Sequence, residues 1–377
     1  MSRVAALAFV LSSTGCSLFG GLRVETLGSG AQRPGNVAAY VAVSDGDEPV
    51  PELDESNFAV YENEQLVPSD QTRATLLDRE LSGAYRTLLV VDLGFAKAPE
   101  ARRELASAVS VFVEKVRATQ AVTVFGFDGG PSLKLLAEFA KGEGPSSDSF
   151  RLPGSAQSDA SRNLNGAVQR ALSELDARLA QSRKPIRVGT LVVFASGPDL
   201  AGRVSENELD AALDEHHPLL LSIGIGEQAP PSLRALGRDG FFAAQSADAV
   251  AMAFEEASYR VRSEYERHYL FSYCSPSRAG ERRLRLEVRF TDKKGNEKKG
   301  DAEADFDAKG FGPGCDPRNL PPISSAKRSE KKPTDQPAAR TASKPEQPAP
   351  SEQPEPSEPS NDEGTVVPPP KRPGYAQ

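Results

Sequence analysis

The chain has 377 residues, a formal net charge of −8 and three cysteines. Net acidity excludes a nucleic-acid-binding role, which would need a clustered Lys/Arg face against the phosphates. Half of the 30 prolines fall beyond Asp316, which leaves about 300 residues to fold, room for one α/β domain and a smaller partner.

Residues 1–16 read as an export signal. Arg3 supplies a positive end, and the apolar stretch 4–11 is too short to span a bilayer. Ser13, Thr14 and Gly15 stand directly before Cys16, and this resembles the lipobox of bacterial lipoproteins. The resemblance implies acylation of Cys16 and a lipid anchor in the cell membrane or the outer membrane. Ser13 stands where the lipobox usually carries Leu, and the alternative is ordinary cleavage and secretion. The Gly-rich residues 17–35 are expected to form a flexible spacer.

Residues 36–82 show strand character at 37–43, 58–61 and 72–77, with turn signals at Asp45, Gly46, Asp47 and Asn63. They predict one half of a small antiparallel β module. From 83 to 267 the pattern changes to buried apolar strands alternating with amphipathic helices. Strands are predicted at 87–92, 121–127, 190–195, 219–225 and 240–243, and helices at 99–117, 163–180 and 247–267. A further helix starts at the capping box of Ser205 and Glu208. A polar loop fills the chain from 128 through Ser161. The alternation predicts a Rossmann-like, doubly wound parallel sheet covered on both faces.

The period returns to two at 269–274, 284–290 and about 302–306. These strands, within 268–316, are expected to pair with the N-terminal ones in a single β-sandwich-like module, since neither half can bury a core alone. The α/β domain would then be an insertion in that module. The basic stretch 293–299 reads as a solvated hairpin tip.

With Cys16 consumed by lipid, Cys274 and Cys315 remain. In an oxidising compartment they pair, closing a loop worth roughly 3–4 kcal/mol, or they stay as two buried free thiols. Residues 317–377 are rich in Pro, Glu, Lys, Ser and Gln and cannot offset the entropy of ordering, so they are expected to be a disordered tail. The tail acts as a solubilising linker or touches cell wall or a partner.

Asp92 ends the first buried strand of the α/β region, and Asn163-Leu164-Asn165-Gly166-Ala167-Val168 opens a later helix. This order resembles the von Willebrand factor type A (VWA) domain over residues 85–267. Asn57 to Asn63 ahead of it and Tyr269 to Tyr273 behind it are similar to the flanks of secreted bacterial members. The resemblance implies a Mg²⁺ site at the carboxyl end of the sheet, built from an Asp-x-Ser-x-Ser motif, a Thr and a second Asp. Here Asp92 keeps its carboxylate, but Gly94 and Ala96 stand at the two serine positions, Arg162 at the Thr position and Ser196 at that of the second Asp.

One carboxylate and one hydroxyl hold a hard dication poorly, and a guanidinium beside them repels it. No metal and no cofactor are therefore expected. Arg162 either neutralises Asp92 directly or points to solvent. Asp199 and Asp128 are either loop residues or the non-standard ligands of a metal-dependent adhesion protein. His216, His217 and His268 lack metal spacing, and no Gly-x-Ser-x-Gly elbow accompanies them. Gly224 and Gly226 suit a strand-end turn better than a phosphate loop. The expected function is that of a non-enzymatic interaction or scaffolding protein at the cell envelope, its partner an unidentified envelope or extracellular protein.

Overall fold

A computed structural model describes residues 21–142, 150–152, 159, 161–226, 229–246 and 249–325. By its contacts the chain divides into units 1–328 and 329–377, and every described residue belongs to the first. The export signal, Cys16 and the tail from residue 326 onward lie outside the described residues.

The chain opens with the long strands β1 (Leu22–Gln32) and β2 (Asn36–Asp45). Short elements follow: β3 (Glu48–Pro49), β4 (Phe58–Glu62), β5 (Gln65–Leu66), the helical turn α1 (Ser69–Thr72), β6 (Thr75–Leu77) and the turn α2 (Arg79–Ser82). The α/β domain then runs β7 (Gly83–Asp92), α3 (Pro99–Val116), β8 (Ala121–Phe127), β9 (Lys134–Phe139), α4 (Leu164–Ala180), β10 (Ile186–Ala195), α5 (Glu206–Glu215), β11 (Leu219–Ile225), α6 (Pro231–Leu236), β12 (Gly240–Ala244) and α7 (Val250–Glu266). The chain returns through β13 (His268–Cys274), β14 (Glu281–Thr291), β15 (Glu297–Asp307) and β16 (Ser324–Ser325).

The central sheet has the order β12-β11-β10-β7-β8-β9, parallel except for the antiparallel edge strand β9. Its strands are apolar on both faces because helices cover both. One face packs Leu89, Val91, Val122 and Val192 under Leu105, Val109 and Phe112 of α3 and Phe254 and Val261 of α7. The other packs Leu88, Val90, Leu191 and Val193 under Leu164, Val168 and Leu172 of α4 and Leu233 of α6. Each large side chain so buried contributes about 1.5–3 kcal/mol relative to exposure. This is the doubly wound α/β architecture expected of the sequence. The strand order reverses between β7 and β10, the place where such sheets form a crevice at their carboxyl ends.

Two antiparallel sheets flank it, one ordered β16-β1-β2-β13-β6 and one β15-β14-β4-β5. The strands before the α/β domain pair with those after it. β13 lies between β2 and β6, and β14 pairs with β4. Alternate residues Val37, Ala39, Val41 and Val43 of β2 and Tyr269, Phe271 and Tyr273 of β13 face Leu284, Leu286 and Val288 of β14 in one shared core. The other face of the first sheet meets the start of β10, where Ala38, Tyr40 and Leu270 cluster with Ile186.

The α/β domain enters through α2 and leaves through α7, and the two crossings are tied together. Arg79 donates from Nε to the His268 carbonyl at 2.6 Å and from Nη2 to that of Glu266 at 2.8 Å, so its cation caps the carboxyl end of α7. Glu264 accepts from Arg260 at 2.9 Å and from Arg267 at 2.8 Å, and lies 3.3 Å from His268 Nε2. The other ring nitrogen of His268 sits 2.8 Å from the Tyr40 hydroxyl of β2.

Three expectations need correction. Residues 17–35 were expected to form a flexible spacer, but 22–32 are the strand β1, paired along its length with β2. The reason lies in Gly28 and Gly30, which lower strand propensity. They are there because another segment lies against them: a Cβ on Gly28 would sit 2.8 Å from the Ser324 carbonyl oxygen. That segment is the second correction. Residues 317–325, expected to begin a disordered tail, run along β1 and end in β16. The third is β9, inside the stretch read as a polar loop. It is a short edge strand whose bulge beside Val124 and Phe125 breaks the period-two signal.

The disulfide is present between Cys274 and Cys315, and the predicted capping box on α5 is formed by Ser205 and Glu208. No helix among the described residues is long and apolar enough to cross a membrane.

Candidate functional site

The carboxyl ends of β7 and β10 bring Asp92, Arg162 and Ser196 together. Asp92 ends β7 and is 1% exposed. Arg162 precedes α4 on the loop that follows Ser161, and its Nε donates to Asp92 Oδ2 at 2.6 Å. Its Nη2 donates to Ser196 Oγ at 3.0 Å, and its Nη1 to the Pro198 carbonyl at 3.0 Å. Ser196, just past β10, turns both its hydroxyl (2.6 Å) and its N–H (3.1 Å) onto the same Asp92 oxygen. The other oxygen accepts from the N–H of Gly94 at 2.8 Å.

A buried carboxylate thus has four donors and one counter-cation, so charge-assisted hydrogen bonds offset the cost of taking it out of water. Gly197 makes room for the guanidinium, since a Cβ there would stand 2.8 Å from Nη1. The loop is also latched from the other side: the N–H groups of Leu200 and Ala201 both donate to the Arg162 carbonyl. Ala96 has no side-chain donor to offer Asp92 and is buried in the core beside α3, its carbonyl accepting from Arg102 Nε at 3.3 Å.

Two further carboxylates stand at this end of the sheet. Asp199 accepts from the N–H of Asn165 at 2.9 Å and from that of Gly202 at 2.7 Å. It therefore satisfies one of the free N–H groups of the first turn of α4, the task of a capping residue, while the Asn163 side chain makes no capping bond. Asp128 accepts from the N–H of Gly130 at 2.8 Å and pairs with Lys134 at 2.6 Å.

A dication here would need several oxygen donors in an octahedral array. The residues do not fit one, because the position beside Asp92 holds a guanidinium and the other two carboxylates are turned to backbone and lysine. Among the described residues no three His, Cys, Asp or Glu side chains group as metal ligands.

The sequence singled out Asp92, Gly94, Arg162 and Ser196, and the structure brings all four to one point. It missed Gly197 and the capping role of Asp199. For Gly197 the available signal was a glycine two residues past the end of β10.

Elsewhere, an open groove of 680 Å³ lies between β9, α4 and α5, floored by Phe125, Leu133 and Leu135. His216 sits on its rim and pairs with Asp176 at 2.5 Å. Ser173 lines the same groove, but its hydroxyl donates to the Gln169 carbonyl one turn back at 3.2 Å. No hydrogen bond joins Ser173 to the imidazole, so these three side chains do not form a nucleophile–base relay. His268 lies far from this groove, buried at the base of α7.

No protein-family model matches the chain, and no curated protein does. Among solved structures it is similar to a von Willebrand factor type A protein from Catenulispora acidiphila, with a TM-score of 0.42 and 10% identity over 76% of this chain and 73% of that one. It is similar to proximal thread matrix protein 1 from the mussel byssus, with a TM-score of 0.38 and 11% identity over 56% of this chain and 50% of that one. It is also similar to the pilus adhesin SpaC from Lactobacillus rhamnosus GG in its open conformation, with a TM-score of 0.36 and 9% identity over 75% of this chain and 47% of that one. The present chain therefore spans about half the length of the mussel and pilus chains.

Proposed function

We propose that the chain is a non-enzymatic interaction or scaffolding protein of the cell envelope, with a VWA-like domain whose cation pocket is filled by its own arginine. The observation that carries this reading is the bond from Arg162 to Asp92, reinforced by Ser196. A guanidinium in that position supplies one positive charge and leaves no coordination sphere to open, so recognition falls to the shape and side chains of the loops around it. Absence of enzymatic chemistry is part of the proposal, and the engaged hydroxyl of Ser173 supports it.

The loops sit at a useful place. β7 starts at Gly83, beside the β module, and ends at Asp92, so the candidate surface is at the end of the sheet away from that module. A chain anchored through lipid on Cys16 would carry its recognition loops at the far tip. Export and the lipid anchor rest on the sequence signals described above.

Metal titration tests the proposal. Differential scanning calorimetry of the chain with increasing Mg²⁺ or Mn²⁺ is expected to show an unchanged melting temperature. An ion bound at a hundred times its Kd would add about 2.7 kcal/mol, a rise of roughly 4 °C for about 300 folded residues. Such a rise would favour the reading as a metal-dependent adhesion protein with Asp199 or Asp128 as ligands.

A further inference from the structure

Past β15 the chain turns through Gly310 and Gly314, both in the left-handed region with φ of 79° and 91°. Cys315 is then bonded to Cys274 at the end of β13. Residues 316–325 run back along the edge of β1. The side-chain amide of Asn36 donates to the carbonyl oxygens of Asp316 and Asn319, the latter at 2.8 Å, and Gln32 Nε2 donates to Asn319 at 3.0 Å. Ser324 and Ser325 then pair with Ser29 and Gly28.

Leu320 and Ile323 pack on the cluster of Ala38, Tyr40, Ile186 and Leu270, so this segment covers the seam between the β module and the α/β domain. Their spacing of three matches the repeat of a polyproline II helix, the conformation that the intervening Pro321 and Pro322 favour. The edge of β1 is shaped for such a segment. Gly28 and Gly30 carry no side chains where it passes, and a Cβ on Gly30 would collide with the Pro322 carbonyl. Amide side chains offer donors to its carbonyls, and a shallow apolar patch takes every third residue.

We propose that residues 316–325 are a releasable strap, docked in a β1-edge groove for extended proline-containing segments, and that the Cys274–Cys315 disulfide governs whether the groove stays filled by the chain itself. This proposal is independent of the cation pocket. While the bond is closed, the strap is held one residue from its anchor, and its high effective concentration keeps a competitor out. A protein dithiol opens the bond by thiol–disulfide exchange. The dithiol loses two electrons and two protons and becomes a disulfide, and Cys274 and Cys315 each become a thiol. The strap, still joined to the turn whose Phe311 packs in the β-module core and whose Gly312 N–H bonds to the Pro34 carbonyl, is then held by two ladder pairs, a few side-chain amide bonds and the packing of Leu320, Pro321 and Ile323. Contacts of that extent open locally without global unfolding. The freed groove takes a proline-containing segment of a partner.

The test is hydrogen exchange by mass spectrometry on the full chain, oxidised and after reduction with a dithiol. Reduction is expected to raise exchange about tenfold or more in 319–325 and in β1 around Gly28, with the α/β domain unchanged. Equal rates in the two forms overturn the proposal. So does loss of protection throughout the β module, which would make the bond a staple of the whole fold. A double variant with Leu320→Asp and Ile323→Asp, its disulfide intact, is expected to show the same local loss, and unchanged exchange would overturn the docking argument. A labelled peptide of residues 316–325 should bind the reduced chain and not the oxidised one, and binding to neither form sinks the groove.

Discussion

The two ends of the α/β domain solve the same problem with different consequences. At the tip, Asp92 is out of water and neutralised by Arg162. At the base, Glu264, with its side chain 9% exposed, is neutralised by Arg260 and Arg267. Every partner of Asp92 comes from loops of the same sheet end, and three of its four hydrogen bonds come from backbone or from Ser196. Glu264 depends on side-chain cations and on His268, which reaches across to Tyr40 of the β module. The first arrangement closes a pocket. The second fixes two modules against each other, and its failure should be felt by the whole chain.

The largest expected effect is therefore at the base. Glu264→Ala leaves Arg260, Arg267 and His268 without their shared anion and should cost about 4 kcal/mol, within the range for breaking a buried ion pair from one side. Urea denaturation measures it, and a loss below 1 kcal/mol would mean that the arginines find solvent easily and that the cluster does not hold the junction.

Arg162→Ala tests the tip. It leaves Asp92 buried without a cation but with three remaining donors, so the loss should be nearer to about 3 kcal/mol. Adding Asp92→Asn to that variant removes the stranded charge and should recover part of the loss. If the double variant is no more stable than the single one, the carboxylate at the tip was not held by charge, and the contrast between the two ends collapses.

Much of this contrast was legible in the sequence, and the reasons for the rest are physical. The doubly wound order follows from apolar runs and helical stripes that the sheet then buries on both faces, as with Leu88 to Val91. Asp92, Arg162 and Ser196 could be placed through the resemblance to the VWA motif, whose positions are marked by the end of a strand and by the run from Asn163 to Val168. The pairing of Arg162 with Asp92 could not be decided, since a side chain on a loop has no period to betray its direction. β1 was hidden because its glycines answer to residues some 300 positions away, and no local signal records so distant a contact. The base cluster was missed for a related reason. Glu264 and His268 look like one helix turn of polar residues until Arg79 and Tyr40 close on them from other parts of the chain.

The smallest expected effect, and the one that sharpens the contrast most, is the response to acid. Burial works against ionisation of the Glu264 carboxyl, yet His268, Arg267 and Arg260 outweigh it and hold the group well below its ordinary value of 4.5. For His268, burial comes first and pushes the imidazole below its ordinary 6.5. Glu264 opposes that push, while Arg267 and Arg79 reinforce it. Both folded groups take up protons less readily than the unfolded chain does, so stability rises with pH across each range. His268 should begin to weaken the fold as pH falls through 6.5, and Glu264 should add to the loss below 4.5. Tyr40 and Tyr85, which face the same cluster, are both raised, foremost by burial, Tyr85 to about 12. They stay neutral throughout the acid range and act only in alkali, where the unfolded tyrosines ionise first. Melting temperature against pH should therefore show a two-stage acid limb, and His268→Gln should remove the upper stage and shrink the lower, which then rests on Arg267 and Arg260. If the upper stage survives in that variant, His268 is not its source, and the base owes its acid sensitivity to Glu264 alone.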